Sequence, residues 1–158
     1  MPVTPAEIML GKVLPYFAIG IVQVAVVLLA ARLVFDVPFV GSMPLLLSGI
    51  FIFVLALVIL GYLISTAART QMQAMQLTFF YFLPSLLLSG FMFPFRGMPQ
   101  WAQALGEVLP LTHFLRMIRA VMLKGAEYPA VAQPMAAMAA FAIVFTVLAL
   151  LRFRRTLD

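Results

Sequence analysis

Between residues 43 and 64 the chain runs for 22 residues without a charged side chain. A hydrocarbon core of about 30 Å takes about 20 helical residues to cross, so a run of this kind is read as a membrane span. Three further runs reach that length. Residues 16–35 are broken only by Gln23 and by Arg32, whose long side chain can reach the interface from near the end of the run. Residues 72–93 open on Gln73 and Gln76 and carry Pro84, and residues 131–151 are rich in alanine (Ala136, Ala137, Ala139, Ala140, Ala142), which lets neighbouring helices approach closely. Lipid offers backbone amides no partners, and no run alternates as a barrel strand does, so all four must be helices. The expected fold is an all-α membrane protein with about four transmembrane helices forming a single transmembrane domain over residues 1–158.

Composition agrees, since 65% of the 158 residues are hydrophobic and 9% are charged, too few to coat a soluble domain. It also excludes several functions. No cysteine is present, which removes disulfides and thiolate chemistry. The five acidic residues, Glu7, Asp36, Glu107, Glu127 and Asp158, all lie outside the apolar runs, so none is placed as a proton or sodium relay. No G-x-x-x-x-G-K-[ST] loop is present to cradle ATP phosphates. The one histidine, His113, has neither a nucleophile nor a metal-ligand pattern around it and reads as an interfacial or hydrogen-bonding residue. The net charge of +5 is scattered over span ends and one connection, without the basic, aromatic-interleaved face of a nucleic-acid binder. These absences predict no catalytic residues, no metal, no cofactor and no nucleic-acid partner. Any work must draw its energy from another protein.

The connection over 94–125 is the longest and is itself patterned. Apolar residues recur at helical spacing over 98–109, where Pro110 is expected to end the helix. A second helix is expected over 112–124, with Thr112 as N-cap and Gly125 just past its end. Both are too short and too charged to span, and with Pro94, Pro99 and Pro110 they fit a re-entrant or interfacial hairpin. Within the third run, Pro84 removes a backbone hydrogen bond and is a candidate kink or hinge. An even number of spans puts both termini on one side, and Arg152, Arg154 and Arg155 directly after the last run assign that side to the cytoplasm. With these three included, the basic residues number five on each side, so it is their concentration beside the last run that decides.

The stretch Pro84-Ser-Leu-Leu-Leu-Ser-Gly-Phe-Met-Phe-Pro-Phe-Arg-Gly-Met-Pro-Gln-Trp, then Leu109-Pro-Leu-Thr-His-Phe-Leu-Arg-Met-Ile-Arg and Leu123-Lys-Gly, closely resembles the permeases of type-2 ABC transporters. The opening Met1-Pro-Val-Thr-Pro-Ala-Glu-Ile-Met-Leu-Gly-Lys with Pro15-Tyr16 resembles that family's cytoplasmic segment between its second and third spans. The resemblance covers essentially the whole chain and is most similar to the multidrug-type branch. It implies that the four runs are the family's third to sixth spans, that the chain lies in the cytoplasmic (inner) membrane, and that it pairs with a second permease and with separate ABC ATPase subunits or domains. It further implies export of drugs, lipids or other hydrophobic compounds. Glu7 and Lys12 are then the ATPase-coupling candidates. The hairpin becomes an outer-leaflet lid, with His113, Arg116, Ala120 and Lys124 expected on one polar stripe, Arg119 at its edge, and Glu107 able to pair with one of these cations.

The family's pattern has a first span, often a large extracytoplasmic domain, and a second span before Thr4-Pro5, so the expectation is a fragment, a truncated frame or a split permease. A non-transporting membrane scaffold or inactive truncated permease is the second reading of the same features. A channel is disfavoured, because the runs carry only isolated polar residues such as Gln23, Ser48 and Thr146.

Overall fold

The computed structural model describes residues 3–157, with side chains for all of these except 5 and 153–157. Arg154 and Arg155 of the arginine tail therefore lie outside the described side chains, and Asp158 outside the described residues. Among the described residues all regular structure is helical: α1 (Pro5–Leu33), α2 (Met43–Ala67), α3 (Gln71–Leu88), α4 (Gln100–Glu107), α5 (Pro110–Lys124) and α6 (Tyr128–Leu157), with one 3₁₀ turn at Phe95–Gly97. The protein is an all-α membrane protein, and three helices, α1, α2 and α6, are long and apolar enough to cross a bilayer.

Boundaries differ from the sequence expectation where capping chemistry overrides hydropathy. α1 begins eleven residues before the apolar run does. Thr4 and Glu7 form a reciprocal capping box, the Glu7 N–H donating to Thr4 Oγ1 at 3.3 Å and the Thr4 N–H to Glu7 Oε2 at 3.2 Å. Pro5 follows at the first helical position, where its missing N–H costs nothing. Glu7 and Lys12 therefore ride on the same helix as the first span. The run 72–93 is helical only to Leu88, because Gly90 adopts φ 94, a left-handed value that ends the helix. At 18 residues α3 is about 27 Å long, just under the thickness of the hydrocarbon core. Pro84 lies inside it, exposed, and leaves the carbonyl of Phe80 without its helical donor.

The bundle is organised around α2. At one end Leu46 and Ile50 of α2, Met117 and Val121 of α5, and Val131, Met135 and Met138 of α6 form a buried cluster. Glycine makes this approach close: a Cβ at Gly49 would strike the Met117 side chain, and one at Gly41 would strike the Val121 carbonyl. Such small-residue contacts gain dispersion, which is what holds helices together where lipid removes the hydrophobic drive. At the opposite end Met9 and Val13 of α1 meet Ile59 and Tyr62 of α2 and Ala149 of α6. The start of α1 and the last third of α6 thus share one end of the bundle.

α5 runs back along α2 from its middle to its N-terminal end. Phe114 stacks on Phe53 with ring centroids 4.1 Å apart, Met117 sits on Gly49, and Val121 reaches Gly41. Val40 N–H donates to Met122 O at 3.1 Å, tying the α1–α2 connection to the end of α5. Phe53 lies ten residues into α2, about 15 Å or half a hydrocarbon core. The hairpin therefore folds back along α2, with its turn beside the middle of that helix. Gly125, at φ 64, ends α5 as expected for a left-handed residue after the last turn.

Candidate functional site

The turn between α4 and α5 gathers most of the charged residues singled out in the sequence. Pro110 does not merely end α4; it opens α5 at the first helical position, with Leu109 as N-cap. Thr112 is consequently not the N-cap, and its side chain turns to α4 instead. The last carbonyls of a helix lack intrahelical donors. Here the Thr112 hydroxyl donates to Gly106 O at 2.6 Å, and His113 Nε2 lies 2.8 Å from Glu107 O, which as a carbonyl accepts the ring proton. The first turn of α5 caps the end of α4.

Above this cap, Arg116 grips the Glu107 carboxylate with both terminal nitrogens, Nη1 donating to Oε2 at 3.0 Å and Nη2 to Oε1. Its guanidinium carbon also lies 4.8 Å from the centre of the Phe95 ring, a cation–π contact that fixes the 3₁₀ turn to the hairpin. His113 Nε2 stands 3.7 Å from the same carboxylate. The Arg116 hydrogen bond, and behind it the charges of Arg116 and His113, hold the Glu107 carboxyl below its ordinary range, against partial burial that raises it. Arg119, one turn further on, donates from Nη2 to Gly90 O at 3.2 Å and places a cation just beyond the C-terminal end of α3, where the helix dipole favours it. Beside it Ser89 is buried, its hydroxyl without a partner. Gly106 completes the junction: a Cβ there would lie 2.5 Å from Leu88 O, so only glycine lets α4 rest on the end of α3.

The expected stripe divides. Arg116 and Lys124 are exposed, but His113 is 7% exposed and falls with Met117 and Val121 on the buried face, its ring 5.8 Å from that of Phe141. Positions 113, 117 and 121 recur every fourth residue, so the spacing that suggested a polar stripe also describes the packed face. Glu107 does pair as expected, and with both Arg116 and His113. Lys124 stands at the other end of α5 and takes no part in the cluster. Glu7 and Lys12 lie on α1 toward the opposite end of the bundle, both exposed. Phe95, Gly90 and Gly106 were not anticipated. Gly90 lies inside the apolar run 72–93, so hydropathy did not mark it, although glycine is the usual residue at a left-handed helix end. Among the described residues no group of three or more His, Cys, Asp or Glu is placed to hold a metal ion.

Apolar helices of spanning length, joined to a charged hairpin folded back among them, define a polytopic α-helical membrane protein. Over residues 1–151 the sequence matches the family described as ABC-2 family transporter protein, and the chain belongs to that family. It is 34% identical over 161 residues to the inner membrane transport permease YhhJ of Escherichia coli, covering 99% of this chain and 42% of that protein. It is 35% identical to the probable multidrug ABC transporter permease YbhR of the same organism over 126 residues, 80% of this chain and 34% of the relative. With the probable multidrug ABC transporter permease YbhS it shares 31% over 157 residues, 99% and 42%. The chain thus spans about two fifths of the length of YhhJ and YbhS. No solved structure matches it.

Proposed function

We propose that this chain is a permease part of an ATP-driven exporter, moving drugs, lipids or other hydrophobic compounds across the cytoplasmic membrane, powered by a separate ABC ATPase and paired with a second permease copy. The observation that carries this reading is the charged elbow of Glu107, His113, Arg116 and Arg119, held beside the middle of α2, which we place near mid-depth in the bilayer. Ionisable groups at that depth are costly against lipid and face a bundle interior, a partner or a water-filled path. Glu107 and Arg116 keep 45% and 39% of their side-chain surface open, so they face such a space. The hairpin acts as a lid on the path, with Pro84 as the hinge of α3, whose end it rests on.

Both termini face the cytoplasm. Support comes from Arg152 in the last helix and from the packing that brings the start of α1 and the last third of α6 to one end. Glu7 and Lys12 at that end are the residues on which the ATPase pushes. The multidrug names of YbhR and YbhS favour hydrophobic drugs as cargo. The test is co-expression of the permease with an ABC ATPase encoded beside it: the two co-purify, and Glu7→Lys lowers substrate-stimulated ATP hydrolysis while leaving the complex intact. A chain that inserts stably but retains no ATPase is a scaffold, and the proposal fails.

A further inference from the structure

A groove of about 1150 Å³ follows the seam between α1 and α2, closed at one end by Phe114 and Ile118 of α5. That volume sits just above the range of about 300–1,000 Å³ typical of small-ligand sites. Its walls are apolar over most of their length, but its other end is polar, lined by Lys12, Tyr16, Tyr62 and Ser65. Lys12 makes no ion pair among the described residues, and the Tyr62 hydroxyl is buried without a partner. The space is built into the packing: α1 and α2 touch closely at Gly20 and Val54, while a Cβ on Gly61 would meet nothing within 4 Å.

The depth of the polar end follows from α1 alone. Lys12 and Arg32 are twenty residues apart, about 30 Å of helix, which is the thickness of a hydrocarbon core. The two cations therefore stand at the two surfaces, Lys12 at headgroup level. From Lys12 to Val24, another groove residue, the helix rises about 18 Å, a little more than one leaflet of a core about 30 Å thick.

We infer that this groove holds one anionic glycerophospholipid, its phosphate on Lys12 and an acyl chain laid along the seam past Gly61 toward Val24. The division into a cationic headgroup end and an apolar channel of leaflet depth matches an amphiphile of negative charge, whereas an apolar protein helix would cover the lysine without a counter-ion. The inference rests on membrane insertion only; a phosphate on Lys12 leaves Glu7, which does not line the groove, as the residue that meets the ATPase.

The chain, reconstituted in nanodiscs of mixed phosphatidylglycerol and phosphatidylcholine and released into native mass spectrometry, tests it. One phosphatidylglycerol is retained in roughly fivefold preference over phosphatidylcholine, the factor that about 1 kcal/mol per basic residue at an anionic surface gives. Lys12→Gln loses the preference but keeps a retained lipid. Gly61→Leu, which fills the groove, loses the lipid, while the size-matched control Gly11→Leu, also in open space but outside the groove, keeps it. Equal retention of both lipids by the unaltered chain, unchanged retention in Gly61→Leu, or a lipid-free dimer overturns the inference.

Discussion

Glu107 at the end of α4 and Arg116 on α5 lie nine residues apart in sequence and meet through two parallel hydrogen bonds across the hairpin elbow. The same elbow is closed from below by Thr112 and His113 on the carbonyls of Gly106 and Glu107. Two short helices become one body, and Arg119 and Gly106 attach that body to the end of α3. A change at any of these points should move the hairpin as a unit.

The pH response of this clasp has a definite sign. The folded value of Glu107 is depressed, so its contribution is present in full above the ordinary value of 4.5 and is lost as pH falls through the lower folded value. Both side chains are more than a third open, so the pair contributes under about 1 kcal/mol. Amide exchange of α4 and α5 should stay slow from neutral pH down to the ordinary carboxylate value and quicken only below it. Glu107→Gln should remove that step; a wild-type loss of protection already at mildly acidic pH contradicts the assignment.

Gly106→Ala forces a Cβ against the Leu88 carbonyl, and backbone cannot move aside as a side-chain tip can. Overpacking of this kind costs about 1–3 kcal/mol. Gly61→Ala, with open space at its Cβ, should be neutral or gain about 0.5–1 kcal/mol from helix propensity. Unfolding in a graded detergent denaturant compares the two directly, and equal behaviour would show that α4 does not depend on its close rest against α3.

Much of this architecture is written in hydropathy, and part is not. The uncharged run of α2 and the proline-bounded hairpin were legible because bilayer thickness and proline geometry leave few alternatives. The early start of α1 was also within reach, since Thr4-Pro5-Ala-Glu7 is a capping box with proline in place, but apolar run length does not register it. His113 was misplaced for a physical reason: a period of four residues marks a face without saying which way it points, and only Gly49 opposite Met117 decides it. Arg119 on the Gly90 carbonyl joins residues 29 apart, and no local spacing announces such a contact.

The topology is open to labelling, because the chain has no native cysteine. Gln71→Cys at the start of α3 and Gln100→Cys at the start of α4 are both exposed. In intact cells a membrane-impermeant maleimide should react with the second and spare the first. Labelling of both, or of neither, rejects the proposed arrangement of spans.

ATP should find no site on this chain, which has no phosphate-cradling loop. Equilibrium dialysis of the purified chain with labelled ATP is expected to show no saturable binding. Stoichiometric uptake would remove the need for a separate ATPase.

The proposed lid is tested most directly by export. Arg116→Gln with Arg119→Gln, in the permease assembled with the proposed ATPase in inverted vesicles, removes the Arg116 clasp on Glu107 and the Arg119 contact with the Gly90 carbonyl. The predicted result is a fall in substrate transport of about tenfold or more, with insertion and ATPase association retained. Transport at the unaltered rate by a correctly inserted, ATPase-bound double variant would contradict the account.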